Sequence, residues 1–431
     1  MGRGATEVRH CSLATIEGRL LWPVLRWTLP YTLREMSGSG LARLVVFVAF
    51  FDLFCQFPIV APFARQLGAD PLVASVTVAT YDVANLVGNL AAGFVLIGIG
   101  RQRTLVGGLL ASAIALALYG VVSEPWQFGA VRALHGLGQA VLSPGAFTLL
   151  SDSVVPSRRA QAMGTAGAFI AIAAVIGPAV AGIAGTAFGS VVVFQAVAAL
   201  MLSASAVVAF LGRNVEVSAD ARERSTDTVK VSLGSILRRP QLIVANVACL
   251  AWTSGIGTLV VHLPLLLETR GASASVRGTA FSVYALVSLV LFARPSPWLV
   301  NKFGRLLPLA GGLSLIGISL LGLALTTTTA GVYGAMALFG SGFGLLFPAV
   351  TSYIADHSSP SERGMAYGVF YAAYSLGVVA GEVGSGQLAE VFGAATVAPF
   401  VAFGCLALFV TPWVVMVNRR VAPVRAIAPA Q

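Results

Sequence analysis

The chain has 431 residues, of which 57% are hydrophobic and 10% charged, and its mean hydropathy is +0.86. Soluble domains carry roughly 25% charged residues, so this composition excludes one and describes a polytopic membrane protein. The net charge of +10 is spread through loops and tails, which points to anionic lipid and topology rather than to a nucleic-acid partner.

The first 40 residues form a tail. Its stretch GRLLWPVLRWTLPYTLRE is too interrupted by Pro and Arg for a signal peptide or a span. Two readings are open: an amphipathic segment on the membrane surface, or a chain whose natural start is Met36. Crossing the hydrocarbon takes about 20 apolar residues, and twelve such stretches follow, at 41–62, 73–97, 104–122, 127–150, 161–187, 190–212, 241–266, 277–295, 306–327, 330–354, 364–390 and 395–417. With both termini cytoplasmic, only Arg65, Arg270 and Arg277 of the 27 basic residues lie outside, and only Arg132 lies more than one turn inside a span. That is the positive-inside bias, expected of a multi-pass protein of the cell membrane.

Span 1 carries Asp52 and Gln56, four apart and so on one face, with Asp52 near the midplane. Span 2 carries Asp82, Asn85 and Asn89 on one face, for which interhelical hydrogen bonding is an alternative to function. Span 4 adds the stripe Arg132, His135, Gln139 and Ser143. Charge inside a bilayer is costly, so Asp52 is expected to be an exchangeable proton site with Arg132 as its conditional partner. A fixed salt bridge is the other reading. Gln56, His135 and Gln139 are expected to be polar cavity contacts, although a histidine bridging two helices is as ordinary a role.

Residues 213–240 read as a cytoplasmic linker between halves at 41–212 and 241–417, followed by a tail at 418–431. Sliding the chain on itself supports this at an offset of 204, which matches Gly100 with Gly304, Arg101 with Arg305, Gly136 with Gly340, Gly138 with Gly342, Asp152 with Asp356 and Gly177 with Gly381, among others. Even spans per half make parallel repeats, which place substrate between them at mid-membrane. Span 7 offers Asn246, with Trp252 and His262 as weaker lining candidates. On span 11, Tyr367, Tyr371, Tyr374 and Glu382 share an arc; its aromatic members serve either as a stacking surface for a flat substrate or as ordinary packing.

Three motifs carry a resemblance. GFVLIGIGR, from Gly93 to Arg101, recurs as PWLVNKFGR, ending at Gly304 and Arg305. RALHGLGQA begins at Arg132, and Gly164, Ala173, Gly177, Pro178, Ala181 and Gly182 keep the spacing G-x8-G-x3-G-P-x2-G-G with two Gly→Ala changes. In these the chain resembles the major facilitator superfamily over residues 41–417, and its twelve-helix drug:proton antiporters in particular. Where the family's loop has an acid and a base, this chain has Ile97 and Gly98, then Asn301 and Lys302. The resemblance implies an all-α fold of twelve transmembrane helices in two six-helix halves. It also implies that helices 1, 4, 7 and 10 line a cavity and that helices 2 and 11 meet across the halves, bringing Asp82 and Glu382 to an outer gate.

The cysteines, Cys11, Cys55, Cys249 and Cys405, lack paired spacing, so neither metal site nor disulfide is expected. No phosphate loop or hydrolase element is present, so no cofactor and no enzyme activity are expected. The expected function is export of a small organic, drug-like compound in exchange for protons, by a monomer embedded in lipid. Uptake or facilitated diffusion of a sugar, organic acid or other metabolite is the alternative.

Overall fold

A computed structural model of the chain describes residues 38–155, 158–212, 233–293, 295–359 and 362–421. The N-terminal tail with Met36, linker residues 213–232 and the C-terminal end from 422 lie outside the described residues. Apolar, alanine- and leucine-rich sequence in a bilayer must satisfy its own backbone hydrogen bonds, and helix dominates. The elements are α1 (Gly38–Gln56), α2 (Val60–Gln66), α3 (Pro71–Ile99), α4 (Arg101–Leu118), α5 (Pro125–Ala140), α6 (Leu142–Asp152), α7 (Arg159–Phe188) and α8 (Ser190–Leu211). They continue with α9 (Leu233–Leu237), α10 (Pro240–Thr269), α11 (Ala274–Ala293), α12 (Pro295–Phe303), α13 (Leu306–Leu325), α14 (Thr329–Asp356), α15 (Arg363–Phe392) and α16 (Ala398–Val421).

Among the described residues, nine helices are long and apolar enough to cross a membrane. The expected fourth span, 127–150, is divided: α5 stops at Ala140 and α6 restarts at Leu142. Pro144 has no N–H to offer the Ala140 carbonyl, and its ring crowds that turn. The expected first span likewise gives way after Gln56 to a turn containing Pro58, from which α2 restarts.

Residues 38–212 pack through the pairs α1–α7, α3–α5 and α4–α8, and residues 233–421 repeat them as α10–α15, α11–α14 and α13–α16. Glycines recur at the crossings: a Cβ on Gly136 would stand 2.2 Å from the Tyr81 carbonyl oxygen, and one on Gly340 2.5 Å from that of Tyr284. Only glycine lets backbones approach this closely.

The two stretches meet through α3–α15, α7–α11 and α2–α10. The tight contacts lie toward the ends remote from Gly38, here called the far face. There a Cβ on Gly182 would be 2.4 Å from the Ala274 oxygen, one on Gly278 2.1 Å from the Pro178 oxygen, and one on Gly386 2.2 Å from Ser75 Oγ. Ser282 Oγ donates to the Val175 carbonyl at 2.7 Å, and the Phe57 and Phe281 rings lie 5.3 Å apart. Toward the face bearing Gly38, the terminal face, the seam loosens. Along one face of α3, Ser75 and Val78 are buried, Asp82 and Asn85 half-buried, and Asn89 exposed. Along α15, Gly386 and Glu382 are buried, while Tyr371, Gly368 and Gly364 are exposed. The molecule is closed at the far face.

Candidate functional site

Asp52 sits in α1 with no exposed surface. Its carboxylate accepts from Gln56 Nε2 at 3.0 Å, from His135 Nε2 at 2.9 Å and from Gln139 Nε2. Gln56 lies one turn along α1, while His135 and Gln139 are one turn apart on α5, so ordinary helical spacing supplies all three donors. A buried carboxylate with three donors is fully satisfied. His135 Nδ1 meets the Tyr119 hydroxyl at 3.1 Å. One tautomer fits both contacts, with Nε2–H donating to Asp52 and Nδ1 accepting from Tyr119.

Arg132 does not bond Asp52. Its Nη1 donates to Gln56 Oε1 at 2.5 Å, its Nη2 to the Val78 carbonyl at 2.9 Å, and its guanidinium lies 4.6 Å from the centre of the Tyr81 ring. Gln56 thus stands between acid and base. The residue of α5 that touches Asp52 directly is His135, while Arg132, the expected conditional partner, stands one residue removed behind Gln56, because α5 runs antiparallel to α1 and sets His135 level with Asp52 and Arg132 level with Gln56.

Gln56, His135 and Gln139, expected as polar cavity contacts, are buried around Asp52 at 3%, 0% and 6% exposure. Asn246 donates to the Leu242 carbonyl of its own helix at 2.8 Å. Tyr371 is exposed toward the terminal face, and Tyr374 packs edge-on against Trp252 with centroids 5.8 Å apart. Trp252, rated weak by sequence, is the centre of a cluster with Phe343, Phe347 and Phe370. His262 serves a loop, its Nε2 lying 2.8 Å from the Thr396 carbonyl near the far face. Asn85 donates to the Gly136 carbonyl at 3.3 Å and Asn89 to Asn85 at 2.7 Å. Asp82 and Glu382 face each other across the crossing of α3 and α15, where no N–H or O–H reaches either oxygen of Glu382.

The motif residues divide. Gly93 lies within α3. Gly100 and Gly304 turn the chain at φ of 90° and 76°, a region that favours glycine. The arginines that follow keep acidic partners despite the substitutions at 97–98 and 301–302: Arg101 pairs with Asp152, and Arg305 Nε donates to Asp356 at 3.0 Å. Sequence reading passed over both acids as partners, although they fall in the repeat. A Cβ on Gly138 would be 3.0 Å from Ser112 Oγ, and one on Gly177 3.2 Å from Phe54 Cβ, while the Gly177 carbonyl accepts from Cys55 Sγ at 3.3 Å. Pro178 and Gly182 form the crossing with α11. Gly164 is different: a Cβ there would meet nothing within 4 Å, so no close approach requires it here. Tyr119 and Tyr81 were missed, since tyrosine in an apolar span carries no signal until its neighbour is known.

The sequence model of the Major Facilitator Superfamily matches residues 44–381 and 278–430. The chain is 26% identical over 271 residues to the synaptic vesicular amine transporter of Bos taurus, covering 61% of this chain and half of that one. It is 29% identical over 326 residues to the multidrug resistance protein MdtG of Dickeya zeae, covering 74% of this chain and 76% of the relative. The crystal structure of the nucleoside transporter NupG superposes with a TM-score of 0.71 at 13% identity, over 88% of this chain and 99% of that one.

Proposed function

The chain belongs to the Major Facilitator Superfamily, and from that premise we propose that this membrane transporter exports a small, amphipathic organic compound in exchange for protons. The observation that carries the reading is Asp52, a carboxyl with no exposed surface whose donors are all side chains able to rearrange. Holding a charge there costs several kcal/mol unless it is fully paired. Any motion of α1 against α5 that removes His135 or Gln139 leaves that buried charge short of donors, a cost that binding a proton relieves. Protonation is thereby tied to the conformational state, which is the requirement for coupling. His135 and Tyr119 extend the path by two further hydrogen-bonding groups, and Arg132 biases it through Gln56.

Twelve spans follow when α3, α4 and the α5–α6 pair are counted beside the nine apolar helices. Asp82 with its asparagines interrupts the apolar run of α3, Arg101 with Arg103 makes α4 less apolar than the nine, and the break at Val141 leaves α5 and α6 each too short to cross alone. In this reading both termini are cytoplasmic, the terminal face is the cytoplasmic one, and a monomer alternates access between the stretches 41–212 and 241–417. The far-face contacts make the present state inward-facing. The exposed Tyr371 and the half-buried Tyr374 offer rings for a flat substrate, in keeping with relatives named for amines and for multidrug resistance.

The test is reconstitution into liposomes with an imposed pH gradient and a panel of amphipathic compounds. The expected result is substrate movement against its own gradient with a stoichiometric counterflow of protons; accumulation without proton flux rejects the reading.

A further inference from the structure

We infer that Asp82 and Glu382 form a second proton-binding site, in which one proton shared between two carboxyls holds α3 against α15 at the far face. The inference rests on the alternating-access reading above but needs neither its substrate nor its direction. Glu382 is 1% exposed, and neither of its oxygens receives a hydrogen bond from a protein N–H or O–H. Asp52 has three such donors, so the two acids are opposite cases. What faces Glu382 is the Asp82 carboxyl.

The neighbours on every packed element leave that contact to the acids themselves. From α10, Thr258 donates to Ser254 and Ser254 to Ala251 through backbone carbonyls, and a Cβ on Gly257 would lie 2.8 Å from Glu382 N. The titratable groups of α10 point elsewhere, Cys249 to the Phe370 carbonyl, His262 to Thr396 and Glu268 to Arg277 at 3.5 Å. From α16, Phe403 covers Gly384. On α5, His135 is held by Asp52, and Arg132 acts on both acids while its two terminal nitrogens bond Gln56 and Val78. On α2, Arg65 bonds the Ala69 carbonyl. Tyr374 of α15 lies on the Asp82 side.

Two carboxylates in contact in a low-dielectric interior repel strongly, so contact requires at least one proton. With one, the pair forms a charge-assisted O–H···O⁻ bond, among the strongest of hydrogen bonds, and titrates as a unit. Removing the proton sets like charges against each other one turn of α15 from the place where Gly386 rests on Ser75. The face of α3 that runs through Asp82, Asn85 and Asn89 grows more exposed toward the terminal face, which gives the proton a polar route in from that side. The closed far face is therefore the protonated state of this pair, and deprotonation favours opening.

The test uses the full chain in lipid nanodiscs, with Cys11 and Cys405 changed to serine and spin labels on Val121→Cys and Leu325→Cys, positions 75% and 86% exposed at the far face. The inter-label distance distribution is read at about pH 5.5 and about pH 8.5. The parent is expected to gain a longer-distance population at the higher pH. Glu382→Gln and Asp82→Asn, each keeping one donor between the pair, should stay short at both and cut the pH response about fivefold or more. Glu382→Asp should restore part of it. A protonated-carboxyl infrared band lost in Glu382→Gln is the independent readout. A parent without pH response, or a full response in both amide variants, overturns the proposal. Failure of proton-driven transport in liposomes with this response intact would overturn the antiport reading alone.

Discussion

In the first stretch α1 meets α5 where Asp52 and His135 stand 2.9 Å apart; in the second, α10 meets α14 where a Cβ on Gly255 would stand 3.4 Å from the Phe339 ring. The surroundings match position for position. Tyr81 packs edge-on against His135 at 5.2 Å, and Tyr284 against Phe339 at 5.5 Å. Gln139 and Ser143 of α5 and α6 fall level with Phe343 and Phe347 of α14, which close on Trp252. One helix crossing is thus made twice, once with a hydrogen-bonded acid and once with rings. The second version shows that the fold does not need a charge at this point, and a buried charge is seldom the more stable choice. Its presence in the first stretch therefore argues for a task other than packing.

Variants can break this contrast or sharpen it. Trp252→Ala should cost the most, about 3–5 kcal/mol from the cavity left in the ring cluster, seen as a lowered thermal unfolding midpoint in detergent. Trp252→Phe should cost under about 1.5 kcal/mol, since its Nε1 has no partner to lose. Asp52→Asn should lower transport driven by a pH gradient about 100-fold while substrate exchange persists; undiminished driven transport would remove Asp52 as the proton site. His135→Phe imports the residue of the second stretch. Leaving Asp52 one donor short and Tyr119 without its ring nitrogen should destabilise by about 1–3 kcal/mol, and driven transport should fall with it. Gly278→Val obstructs the α7–α11 crossing, where the Pro178 oxygen leaves no room. Overpacking of about 1–3 kcal/mol should shift the population away from the far-face-closed state, measured as slower turnover at unchanged expression.

The smallest effects belong to the terminal face. Arg101→Ala and Arg305→Ala should each cost about 1 kcal/mol or less, and near-equal losses would extend the contact repeat to function. The Arg239–Glu362 pair, bidentate at 2.6 and 2.9 Å, has no counterpart in the first stretch among the described residues. Hydrogen bonds from Arg239 and then Ser359 pull the Glu362 carboxyl down to about 2. A lowered folded-state value contributes above the ordinary carboxylate range and is lost as pH falls through about 2, so Glu362→Gln should not alter the pH profile of transport near neutrality.

Sequence reading went furthest where chemistry is periodic. Apolar runs about 20 residues long located the spans, and matched glycines exposed the repeat, because crossings tolerate nothing larger. The register itself needed the structure. It is 204 from Gly100 onward, as in Arg101–Asp152 and Arg305–Asp356, but Tyr81 and Tyr284, which make matching ring contacts, are 203 apart. A one-residue shift inside an apolar run leaves hydropathy unchanged and so leaves no mark in the sequence. The break at Val141 was missed for a related reason: Pro144 is visible, but its repeat partner Pro348 lies inside an unbroken α14, so proline alone does not decide.

The sequence by itself determined that this chain lives in a membrane, that its helices repeat, and that Asp52, Asp82, Arg132 and Glu382 require explanation there. Helical spacing also fixed which residues share a face. Only the tertiary structure decided which face each looks at: that His135 rather than Arg132 reaches Asp52, and that Gln56 separates acid from base. A span's apolar pattern leaves its rotation and its neighbours free, because lipid is equally content against any apolar side. Those are set by the close glycine contacts between helices, which bring together residues that no local rule connects.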